Sequence, residues 1–290
     1  MRDYIIMTDS TADLPDSYLK EHKIAVISLP YTIDGVTYTK ENSLPEKEFY
    51  DKMRAGSLPT TSQANPEELA TFFEHLIQTT DKDILYIVFS SGLSGTFNSA
   101  RIAAADVAEK YPEHRVVLID SLAATLGEGL LVHKAVQLKD SGADLDTVAA
   151  WLEEHKLHLV HNFTVDDLFH LYRGGRVSKT AAFLGTIASI KPILHVDDEG
   201  HLIPLIKSRG RKKALAALVD CMEQQIGDWK DKNDIIFISH GDCLEDANTL
   251  ASMIQERLGI ENFMIDYVGP TIGAHSGPGT LALFYLGDHR

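Results

Sequence analysis

The chain has few cysteines and no long apolar run. Its 290 residues include only Cys221 and Cys243, which are too few for a disulfide framework and are not spaced like a zinc or thioredoxin-type pair. Free thiols are typical of a reducing compartment, so we expect a cytoplasmic protein. No stretch approaches 18 consecutive apolar residues, so no stable membrane insertion is expected.

Basic residues are also scarce. Lysine and arginine total 27 against 42 aspartates and glutamates, which gives a net charge of −15. Because such an acidic surface repels a phosphate backbone, we do not expect nucleic acid as a partner. The apolar fraction of 44% and the charged fraction of 24% are near globular averages and exclude a disordered or fibrous chain.

Strand and helix patterns alternate along the chain. The apolar run at 84–89 is bounded by turn residues, as in a strand buried on both faces. This alternation predicts an α/β fold with two α/β domains and largely parallel or mixed sheets. We place the domains at residues 1–155 and 156–290, because the first α/β unit is complete near His155.

A hydroxyl-rich loop follows the buried strand. Residues 90–96 read SSGLSGT and open a helix, where free backbone N–H groups and the positive helix end collect. Ser94, Gly95 and Thr96 could bind a carboxylate or a phosphate there. Simple capping of the helix by Ser94 explains the pattern about equally well. The loop lacks the residues of a Walker loop or a nucleophile elbow.

Two further segments are candidates for the same site. Thr61 and Ser62 precede a helix that begins near Pro66, and on spacing alone a helix cap is the stronger interpretation of them. Residues 269–280 are dense in glycine and contain His275. Such a loop lets backbone approach closely, and the histidine could donate to an anion or act as a base.

Two basic segments stand out on this acidic chain. Arg173 and Arg176 flank a glycine pair, and a second run at 207–213 contains Arg209. They are either solvated turns or a docking or phosphate patch, and we favour the patch. The other twelve histidines show no metal-ligand spacing, so no metal is expected.

These motifs, in this order, make the chain similar to the DegV family of bacterial fatty-acid-binding proteins. The resemblance covers essentially the whole sequence, and its five motifs are specific only in combination. They are residues 9–13, 61–63, 90–96, 173–176 with 191–194, and 269–280. One departure is Ala64, where the family usually has proline.

The resemblance implies a long-chain fatty acid held between two α/β domains, with no cofactor. Hydroxyls matching Thr61 and Ser94, a histidine matching His275 and an arginine matching Arg209 would bind the carboxylate. Some members present the acid to a separate kinase that forms an acyl phosphate from ATP. We therefore expect this protein to carry a fatty acid of palmitate length, and we expect Arg173 and Arg176 to dock the kinase. Positions 181–184 and Ile187 are candidates for lining the tail.

Two other hypotheses remain open at this stage. Ser94 as nucleophile, His275 as base and Asp9 or Asp120 as the orienting carboxylate would form a serine hydrolase acting on acyl esters. A phosphotransfer subunit could instead hold a small carbonyl substrate covalently on His275. Turnover of an ester, or a covalent adduct seen by mass spectrometry, would distinguish these functions from a non-covalent carrier.

Overall fold

The structure is a computed structural model that describes residues 2–178 and 190–290. The helix predicted at 180–188, and the candidate tail-lining positions 181–184 and 187, lie outside the described residues. The strands, in chain order, are β1 Tyr4–Asp9, β2 Ala25–Ile27, β3 Tyr31–Ile33, β4 Val36–Tyr38, β5 Thr60–Thr61, β6 Asp83–Val88, β7 Val116–Asp120, β8 Leu159–Thr164, β9 Ile190–Val196, β10 Leu202–Arg209, β11 Ile236–His240, β12 Phe263–Tyr267 and β13 Leu281–Leu286. The helices are α1 Asp16–Glu21, α2 Glu46–Arg54, α3 Pro66–Thr80, α4 Thr96–Lys110, α5 Leu126–Asp140, α6 Leu145–His155, α7 Leu168–Arg173, α8 Arg211–Gln225, α9 Leu244–Leu258 and α10 Pro270–Ser276.

The strands form two main sheets and one small one. The N-terminal sheet has the order β2-β1-β6-β7 and is parallel throughout. The C-terminal sheet has the order β10-β9-β8-β13-β11-β12, and among its described pairs only β11 and β12 are parallel. The small sheet β4-β3-β5 is antiparallel. The α/β class with parallel and mixed sheets is therefore confirmed.

Helix α5 packs between the two main sheets. It contacts β1 and β6 on one side and β8, β11 and β13 on the other. Most of its residues are buried, including Leu130, Leu131 and Val132, which share one apolar core with Ile6 and Phe284. Each such side chain contributes about 1.5–3 kcal/mol when fully buried. Strands β1 to β7 and strands β8 to β13 form separate sheets, and the change falls near the boundary predicted at residue 155. The domain limits themselves remain a prediction.

Two predicted elements differ from the structure. The apolar pattern at 24–32 predicts a single strand, but the structure has two there, because the chain leaves β1 after Ile27 and joins the small sheet at Tyr31. The loop expected at 269–280 contains helix α10, which has Pro270 in its first turn, where a missing N–H costs nothing. The sequence Asp34-Gly35 predicts a hairpin turn, and the structure has one there, with the positive φ at both residues that such turns require.

Candidate ligand-binding site

A cavity of about 220 Å³ is lined by strand residues of the C-terminal sheet and by the segments that follow β2, β5 and β6 in the N-terminal half. This volume is slightly below the roughly 300–1,000 Å³ of small-molecule sites, which favours a slender ligand. Most of the lining is apolar, and its larger side chains are Leu29, Phe89, Leu93, Phe163, Leu171, Val196, Leu202, Val268, Ile272 and Phe284. The cavity can therefore bury a long apolar group.

Two predicted site residues meet at one end of the cavity. Thr61 lies on the short strand β5 and His275 near the end of α10, and Thr61 Oγ1 is 2.7 Å from His275 Nε2. Gly174 packs so closely that a Cβ there would be 2.1 Å from His275 Nδ1. Burial, and then the charges of Arg176 and Arg173, lower the pKa of His275 to about 4. The imidazole is therefore neutral at physiological pH.

The loop after β6 supplies more polar lining. Ser94 and Gly95 line the cavity, whereas Thr96 is fully buried outside the lining. Ser94 Oγ is 2.9 Å from Thr96 Oγ1 and accepts the Thr96 N–H at 3.2 Å. Ser94 therefore accepts the N–H of the first residue of α4 and also lines the cavity, whereas the N-cap position of α4 is Gly95. A Cβ at 95 would be 2.1 Å from Gln63 Oε1, so the present position of the Gln63 side chain depends on glycine there.

The segment after β5 extends this polar end. Ser62 and Gln63 line the cavity beside Thr61, and the Gln63 side chain donates to Ser99 Oγ at 3.2 Å. Ser276, which follows His275, is 4% exposed and also lines the cavity. Its hydroxyl has no hydrogen-bond partner within the part of the chain that the structure describes. Sequence reasoning missed Ser276, although it lies inside the predicted glycine-rich segment.

The arginines that flank the glycine pair point inward. Arg176 lines the cavity, and its Nε donates to the carbonyl of Leu93 at 3.1 Å. Arg173 donates to the carbonyls of Pro59 at 3.0 Å and Ala274 at 2.9 Å, tying α7 to the two segments that carry Thr61 and His275. Both guanidinium groups are partly buried, so neither of these residues forms a solvated turn.

Arg209 is placed differently from the other predicted site residues. It is the last residue of β10, its side chain is exposed, and it is not part of the cavity lining. The structure therefore brings Thr61, Ser62, Ser94, Gly95 and His275 to one cavity but leaves Arg209 on the surface.

Buried carboxyl groups support the loop from behind. Asp9 accepts the backbone N–H of Phe89 at 3.1 Å, and Glu128 accepts the hydroxyls of Thr8 at 2.7 Å and Thr11 at 3.0 Å. Burial raises the pKa of Asp9, and burial together with the Asp9 charge raises that of Glu128. These contacts fix the end of β6, from which the loop at 90–96 starts.

The hydrolase triad considered above is not assembled. His275 Nε2 is paired with Thr61 and Ser94 Oγ with Thr96, so the serine and the histidine are not hydrogen-bonded to each other. Asp9 bonds to Thr11 and Phe89, and Asp120 accepts the N–H groups of Ser91 and Leu122. Neither carboxylate orients the imidazole, because His275 Nδ1 has no partner among the described residues. The serine hydrolase hypothesis is therefore not supported.

Residues 2–178 and 190–290 contain neither a candidate metal site nor a candidate membrane-spanning helix. The described residues contain no cluster of three or more histidine, cysteine, aspartate or glutamate side chains suited to a metal ion. None of the described helices is long and apolar enough to span a bilayer.

Solved structures of DegV family proteins have the same fold as this chain. The fold is that of solved α/β proteins of this architecture: a DegV family protein from Thermus thermophilus has a TM-score of 0.86 at 30% identity, covering 99% of this chain and 100% of its own. A DegV protein from Bacillus subtilis has a TM-score of 0.84 at 31% identity, covering 99% and 100%. Both are described as fatty acid binding.

Sequence comparison gives the same family. The model of the DegV family, described as uncharacterised protein, matches residues 4–288. A DegV domain-containing protein from Clostridium perfringens is 46% identical over 292 residues, covering 100% of this chain and 99% of its own. The chain belongs to the DegV family, which confirms the resemblance seen in its sequence.

Proposed function

We propose that this protein binds one long-chain fatty acid non-covalently in the cavity between its sheets. The observation that carries the proposal is the cavity itself, which is apolar along most of its length and has Thr61, Ser94, Ser276 and His275 in its wall. The fatty acid binding described for the similar proteins from Thermus thermophilus and Bacillus subtilis supports the same ligand.

The apolar tail drives binding in this proposal. Burying a chain of about 16 carbons gains roughly 0.8 kcal/mol per methylene, on the order of 12 kcal/mol before the cost of ordering the ligand. A buried carboxylate would offset that gain unless it is hydrogen-bonded. The polar end of the cavity therefore has to match the head group.

The Thr61–His275 contact suggests how the match is made. A neutral imidazole carries one proton, and with that proton on Nε2 it donates to Thr61 Oγ1, 2.7 Å away. The hydroxyl proton of Thr61 is then free to point to the carboxylate. Ser94 and Ser276 add donors, and the nearby Arg176 guanidinium contributes positive charge. Arg209 contributes no such contact from its exposed position, so we leave it out of the head-group set.

Extraction tests this function directly. Denaturing extraction of freshly purified protein, followed by mass spectrometry, should release a long-chain fatty acid in near-equimolar amount. Titration of delipidated protein with palmitate should then restore binding, and the methyl ester, which lacks the charged head group, should bind more weakly. Absence of lipid from the extract together with no palmitate binding would disprove the proposal.

We propose further that the bound acid is presented to a separate kinase, which transfers the γ-phosphoryl group of ATP to the carboxylate and releases ADP. The support for this step is the resemblance to carrier members of the family. A cytoplasmic location agrees with it, since Cys221 and Cys243 are free. Docking by Arg173 and Arg176 stays a prediction, and their inward hydrogen bonds favour a role at the site.

Conservative variants separate these two roles. Arg173→Lys and Arg176→Lys keep the charge but lose the fixed fork geometry. If the arginines shape the site, both variants weaken palmitate binding. If they dock the kinase, palmitate affinity is unchanged and acyl-phosphate formation in a reconstituted assay falls for Arg→Ala but not for Arg→Lys. Lys207→Ala, in the exposed basic run, is the control for general surface charge.

A further inference from the structure

A second histidine lines the cavity and has no role in binding the head group. His161 lies on β8, is 2% exposed, and forms part of the lining. Neither of its ring nitrogens has a hydrogen-bond partner among the described residues. A buried polar group without a partner carries a desolvation penalty, so its presence in an apolar wall calls for an explanation.

The ring is held in a fixed position by its neighbours. The Phe284 ring packs edge-on at a centroid distance of 5.6 Å, from the opposite residue of β13. Gly127, at the start of α5, leaves room for the other side: a Cβ there would be 2.6 Å from His161 Cδ2. The imidazole thus cannot turn away to find a partner elsewhere without disturbing the core.

His161 lies away from the head-group end. The lining passes from Thr280, just before β13, to Ala282 and Phe284 on that strand, and along β8 from Phe163 to His161. Four residues of strand, from Thr280 to Phe284, span roughly 13 Å. The His161 imidazole therefore faces the part of the cavity where a fatty acid would place its methylene chain.

The ring is also uncharged. Burial, followed by the charges of Arg290 and His195, lowers the pKa of His161 well below its usual value, and the Leu159 backbone acts in the opposite direction. Arg290 itself is engaged with the backbone carbonyls of Leu159, Leu122, Asp197 and Lys156. A neutral imidazole can both donate and accept, which suits an uncharged oxygen better than a second carboxylate.

We propose that His161 recognises an oxygen substituent within the acyl chain, so that hydroxylated long-chain fatty acids are a ligand class of this cavity. This inference rests on the proposed fatty acid binding and specifies its substrate. A hydroxyl at the right depth would pair with His161, whereas a plain chain leaves the imidazole unpaired. The same hydroxyl placed against the apolar side chains between the polar end and His161 would be buried without a partner.

Binding of positional isomers to the delipidated full chain tests the proposal. The probes are octadecanoate and its 3-, 10- and 12-hydroxy derivatives, measured by calorimetry or by displacement of a fluorescent fatty acid. We expect the 10- or 12-hydroxy acid to bind at least as tightly as octadecanoate, and more tightly than the 3-hydroxy acid, whose hydroxyl is out of reach of His161. If every hydroxy acid binds about ten-fold or more weakly than octadecanoate, the inference is wrong.

Variants of His161 locate the effect. His161→Leu should weaken binding of the preferred hydroxy acid about ten-fold more than it changes binding of octadecanoate. His161→Gln, which keeps a donor and an acceptor, should retain part of the preference. Phe163→Leu, on the same strand and in the same wall, is the matched control and should change both affinities by the same factor.

The outcomes separate this inference from the proposed function. An equal loss of both ligands in His161→Leu would show a packing role and overturn the inference alone. Failure of octadecanoate and all isomers to bind the wild-type protein would defeat fatty acid binding as well. If His161→Leu does not fold, the isomer series on the wild-type chain still decides the question.

Discussion

Two cavities of opposite character lie on either side of the segment 269–272. The apolar cavity has a volume of about 220 Å³, and the second one, of about 490 Å³, is lined by Asp13, Asp16, Glu46 and Asp266 against the single Lys40. Leu29 and Thr271 line both. The larger cavity is thus unsuited to an anion because of its charge. Lining chemistry, and not volume, identifies the lipid site.

The pKa shifts of the buried groups in the two cavities also have opposite directions. Asp13 in the acidic cavity has a pKa raised to about 8, chiefly by burial, and its Oδ2 is shielded from solvent. His275 in the apolar cavity has a pKa lowered to about 4, again chiefly by burial. Both groups are therefore held in their neutral forms near pH 7 or just below. The same cause stabilises the neutral acid on one side and the neutral base on the other.

The largest expected effect concerns Asp13. Its folded pKa lies above the unfolded value, so its contribution to stability is full below about pH 4 and is lost as pH rises towards 8, by up to about 1.4 kcal/mol per pH unit. Asp13→Asn, which tolerates the positive φ of 51°, should remove this loss. Urea unfolding of both proteins at pH 5 and pH 9 measures it. Equal pH dependence in the two would show that Asp13 does not titrate as described.

His275 should make the free energy of unfolding depend on pH with the opposite sign, over a narrower pH range. Its folded pKa is below the unfolded value, so stability is full above about pH 6.5 and falls by up to about 1.4 kcal/mol per pH unit as pH drops to 4. His275→Gln should flatten that part of the profile and leave the range from pH 7 to 9 unchanged. His201→Gln, at an exposed position, is the control and should have little effect.

Loss of the hydroxyls at the polar end tests what distinguishes the two cavities. Thr61→Val and Ser94→Ala should each weaken palmitate binding, by about 1.5–3 kcal/mol where the hydrogen bond is to a charged group. The double variant should lose less than the sum, because both hydroxyls address one carboxylate. Thr32→Val, which removes a hydroxyl paired with Thr37 on the exposed hairpin, is the control. Unchanged affinity in the double variant would remove both residues from the site.

Ser276 should have a smaller effect of the same sign. Its hydroxyl lacks a partner in the described structure, so Ser276→Ala should weaken palmitate binding by about 1 kcal/mol while leaving the unliganded protein equally stable or more so. Thermal unfolding with and without palmitate measures both quantities. A loss of stability without ligand would instead indicate a structural role for the hydroxyl.

The smallest effect is expected in the acidic cavity. Glu46→Gln and Asp16→Asn should change palmitate affinity by less than about two-fold, because neither residue lines the apolar cavity and solvent screens charges beyond a Debye length of about 10 Å. Titration with palmitate at 0.1 M salt checks this. A marked gain in affinity would mean that the acidic cavity opposes the anion over a longer distance than the structure suggests.

Local patterns in the sequence predicted the parts of the site that depend on local structure. Ser94 and Gly95 follow a buried strand and precede a helix, an order that an anion-binding loop and simple helix capping explain about equally well. Thr61 and His275 are 214 residues apart, so no spacing relates them, and only the family resemblance joined them. His161 and Phe163 alternate on one face of β8, but period two does not reveal which face meets a cavity. Arg209 was assigned by resemblance alone and lies on the surface.

The arrangement of α5 and β13 also constrains how the chain acquires its structure. β13 is the last strand in sequence, yet it lies in the interior of the C-terminal sheet between β8 and β11. α5 belongs to the first half of the sequence but is covered on one side by that sheet. During synthesis, the N-terminal half must therefore wait with an apolar helix face exposed until Leu281–Leu286 has been translated. Such late, non-local closure predicts slow folding and makes nascent chains truncated before β13 prone to aggregate.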